Sequence, residues 1–122
     1  MTNLVSITLA ILLQVESSGN PTPPDGDGGL AVGVLQMHPC MVEDVNRILG
    51  VAFYTLGDRR DPDKSIEMGR IWLTWCAAHR HITLPHKLAA RWNQPATGNV
   101  THAYRQRIAI CWCANIKARR AT

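Results

Sequence analysis

Between residues 3 and 17, Leu4, Ile7, Ile11 and Val15 recur at steps of three and four, while Leu9, Ala10, Leu12 and Leu13 make most of the circumference apolar. That pattern predicts a buried helix, stopped by Gly19. The period is lost over residues 19–30, where Pro21, Pro23, Pro24, Gly26, Gly28 and Gly29 predict a loop. A very short hairpin fits there, although the prolines argue against strands before Asp25. A second helix is expected over 39–50. Pro39 suits its first turn, Glu43 and Asp44 its positive end, and Gly50 its stop; Met41, Val45, Ile48 and Leu49 form its inner face. The apolar run 51–56 is assigned to no element, and residues 58–63 read as a charged turn. A third helix is expected over 64–81, with Ile66, Leu73 and Cys76 inward and Gly69 on the same stripe, where its bare Cα lets a neighbour approach at some cost in helix propensity. Thr83 or Leu84 opens a shorter helix through Trp92, broken by Pro95 and Gly98. Residues 99–117 read as a last helix, with Tyr104, Ile108, Cys111 and Trp112 on one stripe. The fold class is therefore all-α with about five helices, or α+β if the hairpin forms.

A chain of 122 residues, 46% of them hydrophobic, is long enough for one domain with a real core and hardly long enough for two. A single domain over 1–122 is expected, as a monomer. The net charge of +4 suits a polyanionic partner as well as it suits ordinary solubility. The apolar segment 4–15 lacks the basic flank and small-residue cleavage site of a signal peptide and is too short to span a bilayer. It reads as part of the fold, so the chain is expected to carry no export address of its own. Cys40, Cys76, Cys111 and Cys113 do not have zinc spacing, and on a helix the last two would point about 200° apart. Buried thiols are expected for most of them, and a bridge from Cys76 to one of the C-terminal pair stays open. The five histidines offer no metal pattern either, so no metal or cofactor is expected. Asp25-Gly26-Asp27-Gly28 begins like a calcium loop, but the twelfth position from Asp25 holds Gln36 rather than Glu.

Candidate chemistry collects at the end of the first helix. Gln14-Val15-Glu16-Ser17-Ser18-Gly19-Asn20 puts a carboxyl where the apolar segment breaks, and Gly33-Val34-Leu35-Gln36-Met37-His38-Pro39 follows shortly. A carboxyl half-buried against apolar neighbours favours its protonated form, and such an acid can donate to a glycosidic oxygen. Glu-Ser-x-x-Asn followed by Gly-x-x-Gln-x-x-Pro resembles the soluble lytic transglycosylase and goose-type lysozyme superfamily. Trp92-Asn93, followed later by Tyr104, resembles that superfamily's aromatic-Asn-Ala-Gly segment, although Gln94-Pro95 replace the small pair. The ordered set spans residues 4–108.

The resemblance implies a lysozyme-like domain that cleaves peptidoglycan glycan strands, with Glu16 as the catalytic acid and Ser17, Gln36, Asn93 and Tyr104 lining the sugar site. Lytic transglycosylases of that superfamily use one carboxyl and leave a 1,6-anhydro ring. Goose-type hydrolysis needs a second carboxyl, for which Asp25 or Asp27 stands about where that family carries its own. The plainer reading of Asp25-Gly26-Asp27-Gly28 is a turn. Gln36 reads equally as a local cap of the next helix, Tyr104 as core, and Gly33 as a site of ligand approach or of a tight turn. Trp72 and Trp75 share a face by spacing, and core packing is their default, as it is for Trp92 and Trp112. The rival from another class is a helical module that binds glycan or nucleic acid without turnover; no nucleic acid partner is expected.

Overall fold

The computed structural model describes residues 2–92, which form four α-helices: α1 (Thr2–Ser17), α2 (Pro39–Leu49), α3 (Pro62–Arg80) and α4 (Pro85–Ala90). Short 3-10 turns cover Asp27–Gly29 and Leu56–Arg60, and among the described residues there is no strand. The all-α class is thus met. The fifth helix expected over 99–117, with Tyr104, Cys111, Trp112 and Cys113, lies outside the described residues, as does Asn93. The hairpin is reduced to two isolated antiparallel bridges, Gly26 with Ala31 and Val32 with Met37.

Each helix starts and stops where local chemistry allows. Pro39 and Pro62 sit in first turns, where a missing N–H costs nothing. Asp61 caps α3, accepting from the backbone N–H of Asp63 at 3.0 Å and of Lys64 at 3.3 Å. That cap starts α3 two residues before the expected position, because Asp61-Pro62 is a helix start rather than the end of a turn. Gly50 closes α2 with left-handed geometry. Glu43 and Asp44 fall beyond the first turn of α2, and Asp44 pairs with Arg47 at 2.8 Å on the surface.

The core gathers one face of every helix. Leu12, Leu35, Met68, Leu73 and Leu88 are wholly buried, each side chain contributing roughly 2 kcal/mol by its removal from water. Gly69 meets the expectation of close approach: a Cβ there would stand 2.7 Å from Leu35 Cδ1 and 3.2 Å from Leu9 Cδ2. Two inward assignments change. Leu49 is exposed and Val42 takes its place beside Met41 and Val45. Trp72 turns inward to meet Trp92 edge-to-face, with ring centroids 5.5 Å apart, whereas Trp75 lies at the surface stacked on His79. A spacing of three leaves the two α3 tryptophans about 60° apart, enough to straddle the edge of the buried face.

The unassigned run after α2 is a connector anchored by side chains. Both amide atoms of Asn46 clip Tyr54: Nδ2 donates to its carbonyl and Oδ1 accepts from its N–H, each at 3.0 Å. Tyr54 is buried and its hydroxyl donates to Glu67 Oε1. Burial, reinforced by that carboxylate, pushes the Tyr54 hydroxyl up to about 12. Cys76 is a free, buried thiol and Cys40 a free, exposed one.

Candidate active site

Glu16 owes its position to the register of α1. The fully buried line on this helix runs through Val5, Leu9 and Leu12, with Thr8 beside it. Four residues beyond Leu12, on the same line, comes Glu16, half-buried in the last turn. The stripe expected from sequence (Leu4, Ile7, Ile11, Val15) is offset from this. Only Ile11 on it is fully buried, and the other three pack at the margin of the core. A helix apolar almost all round has no strong moment to choose a face, so tertiary packing chose it. The result leaves the Glu16 carboxyl half-buried beside Val15, which packs against the core.

The chain then turns sharply. Ser18 and Gly19 both have positive φ, 52° and 76°. Ser17 is buried, and its hydroxyl donates to the Leu13 carbonyl at 3.0 Å. That bond ties the expected sugar ligand to its own helix and leaves its oxygen lone pairs as acceptors. Asn20 Oδ1 accepts from the Thr22 N–H at 3.0 Å, fixing the start of the proline-rich loop.

Residues 26–37 form two successive tight turns. Gly26 and Ala31 exchange both backbone hydrogen bonds, at 2.8 and 3.0 Å, and Val32 and Met37 do the same at 3.2 and 2.9 Å. Gln36 joins the two. Its Nε2 donates to the Pro24 carbonyl at 3.2 Å and to the Gly33 carbonyl at 3.1 Å, and its Oε1 lies over Gly26. Both of these Nε2 bonds go back into the loop. The cap position of α2 belongs to His38, which makes no side-chain cap bond. Gly33, with φ 82°, settles its own ambiguity in a third way. A Cβ there would stand 1.9 Å from the Arg59 carbonyl oxygen, so what approaches is the protein's own backbone.

The two candidates for a second carboxyl are each engaged by a side chain. Asp25 receives a two-pronged contact from Arg60, Nη1 to Oδ1 at 3.1 Å and Nη2 to Oδ2 at 3.0 Å. Those bonds hold the Asp25 carboxyl below its usual value. Asp27 Oδ2 lies 2.8 Å from His38 Nε2. Structure thus groups Asp25 with Arg60, Asp27 with His38, and Gln36 with Pro24, Gly26 and Gly33.

The turn holding Gln36 is fastened to the helices through its neighbour. Leu35 is wholly buried, its side chain meets Gly69, and its carbonyl accepts from the Trp92 indole N–H at 2.8 Å. Sequence reading missed this role of Trp92, and it placed Arg59 and Arg60 in a charged turn without partners. The signals were present, since a buried indole N–H needs an acceptor and a fork of guanidinium donors suits carbonyls and carboxylates. Their partners lie too far along the chain to be paired from spacing.

A groove of about 460 Å³ on the outer side of α3, lined by Ile48, Ile71, Trp75, Ala78 and His79 among others, carries no candidate acid. Among the described residues no three His, Cys, Asp or Glu side chains converge as a metal site, and no helix is long and apolar enough to cross a membrane.

Residues 1–84 match the family described as the transglycosylase SLT domain. The matched stretch contains Glu16, both turns and the Arg59-Arg60 pair, and ends before Asn93. No curated protein and no solved structure matches the chain. With the match covering well over half of its length, the chain belongs to the transglycosylase SLT-domain family, and so to proteins of lytic-transglycosylase-like action on peptidoglycan.

Proposed function

We propose that this protein is a lytic transglycosylase that cuts the β-1,4 bond between N-acetylmuramic acid and N-acetylglucosamine, with Glu16 as its single acid. The observation that carries the reading is the position of Glu16, half-buried on the core line of α1 at the helix end. The engagement of Asp25 by Arg60 and of Asp27 by His38 adds support, because an inverting hydrolase needs a second carboxylate available to hold water.

The reaction balances with one carboxyl. Glu16 gives its proton to the glycosidic oxygen as the C1–O bond breaks and the N-acetylglucosamine hydroxyl leaves. The neighbouring 2-acetamido oxygen of the muramoyl sugar stabilises the cationic C1. Ionised Glu16 then takes the proton from the muramoyl 6-hydroxyl, whose oxygen bonds to C1 and closes the 1,6-anhydro ring. The carboxyl is regenerated and no water is consumed. Ser17, Gln36, Asn93 and Tyr104 are the proposed sugar contacts, and the bacterial cell wall is the site of action.

Glu16→Gln keeps the shape and loses the transferable proton. Its turnover of purified cell walls is expected to fall by about three orders of magnitude or more, with its thermal unfolding unchanged. Undiminished cleavage by that variant would take the role of acid away from Glu16. Mass spectrometry of the wild-type products separates the chemistries: anhydro ends are lighter by one water per cut, whereas hydrated reducing ends would replace this reading with goose-type hydrolysis.

A further inference from the structure

Arg59 grips the Gln36 loop from two sides. Its Nη1 donates to the Leu30 carbonyl and to the Met37 carbonyl, each at 3.0 Å, while its Nε donates to the Leu56 carbonyl at 2.8 Å. Leu30 lies within the first tight turn, just before Ala31 closes it, and Met37 closes the second. The backbone of the same residue fills the notch left at Gly33, where a Cβ would stand 1.9 Å from the Arg59 oxygen. Gln36 sits between Gly33 and Met37, so both flanks of the proposed sugar contact rest on one residue. The neighbouring Arg60 holds Asp25, upstream in the same loop, by its two-pronged contact. A guanidinium is suited to this work, because its rigid fork supplies several donors in fixed directions, which a single ammonium cannot reproduce. Burial draws the Arg59 guanidinium somewhat below its usual value, without threatening its charge.

We infer that Arg59 is a positioning residue for the Glu16 reaction, setting the loop that carries Gln36 at the place where the glycan is bound. This rests on the transglycosylase reading. Arg59 acts through the loop and not on the carboxyl, so its loss loosens substrate binding more than it slows proton transfer.

The test uses the full chain with Arg59→Lys and Arg59→Met, on soluble uncross-linked glycan strands, at a temperature where circular dichroism shows each variant folded. KM is expected to rise about tenfold in both variants, with kcat within about threefold of wild type and the acid limb of the kcat profile unmoved. Amide exchange at Val32 and Met37 is expected to quicken in the same variants. If Arg59→Met does not fold, Arg59→Lys, which keeps the charge, carries the test alone. Unchanged KM in a folded variant, or full recovery of KM by lysine, overturns the positioning role while leaving the transglycosylase reading intact. A wild-type chain that cuts no glycan sinks both, and is recognised by that result alone.

Discussion

Two junctions hold the loop that carries Gln36, and they are built from different chemistry. At one, Leu35, Leu9 and Trp92 close over Gly69, with a single hydrogen bond from the indole to the Leu35 carbonyl. At the other, Arg59, Arg60, Gly33 and Gln36 meet through carbonyls, a carboxylate and a carboxamide. Apolar contact has no direction, so the first junction can shift a rotamer and keep most of its stabilisation. The second is held to backbone atoms in fixed directions, and a displaced carbonyl there loses its partner outright. Side chains are thus the adjustable partners at the helix side of the loop, and the backbone is the rigid partner at the 3-10 turn.

The same change, glycine to alanine, puts that contrast to its sharpest test. At Gly33 the new methyl would lie 1.9 Å from the Arg59 oxygen, on a backbone of φ 82° that resists any side chain. Gly33→Ala is expected to cost about 3–5 kcal/mol in urea unfolding, with loss of the fold as the extreme case. At Gly69 the methyl meets the mobile ends of Leu35 and Leu9, at 2.7 and 3.2 Å. Overpacking there costs about 1–3 kcal/mol, offset by about 1 kcal/mol of helix propensity. Gly69→Ala should therefore lose only about 1 kcal/mol; equal losses at the two glycines would erase the distinction between the junctions.

The smallest effect is electrostatic and depends on pH. The Asp25 carboxyl is held below its usual value chiefly by the Arg60 hydrogen bonds. The unfolded chain then binds the proton first, so this contribution is present above about pH 4 and disappears as pH falls through the lower folded value. Asp25→Asn should be slightly less stable than wild type at neutral pH, with the gap closing only in strong acid. A gap that widens on acidification would show that Arg60 does not favour the charged form.

The helical half of the molecule was legible in the sequence because its signals are local. Pro39 and Gly50 bound α2, and α1 ends at Ser17, where its apolar run breaks. The face of α1 was not legible, since a helix apolar on nearly every side packs by what its neighbours offer; in α2 the burial of Val42 in place of Leu49 was not legible either. The loop half was read as composition alone. Asp25 pairs with Arg60 across 35 positions and Arg59 reaches Leu30 across 29, separations at which spacing carries no information. The roles assigned to Gln36 and to the two aspartates depended on those partners, and only the fold supplied them.

The clip between Asn46 and Tyr54 has a consequence for how this chain can change length. Residues 51–53 are exposed, with Gly50 closing α2 on one side and Tyr54 held at both its N–H and its carbonyl on the other. One short hydrogen bond, Phe53 N–H to the Val51 carbonyl, is all that the backbone makes within that stretch. Extra residues placed there would bulge into water, each doubling of the span costing only about 0.6 kcal/mol of closure entropy. This makes the 51–53 segment a permissive point for inserting a tag or a label, far along the chain from the acid at the end of α1.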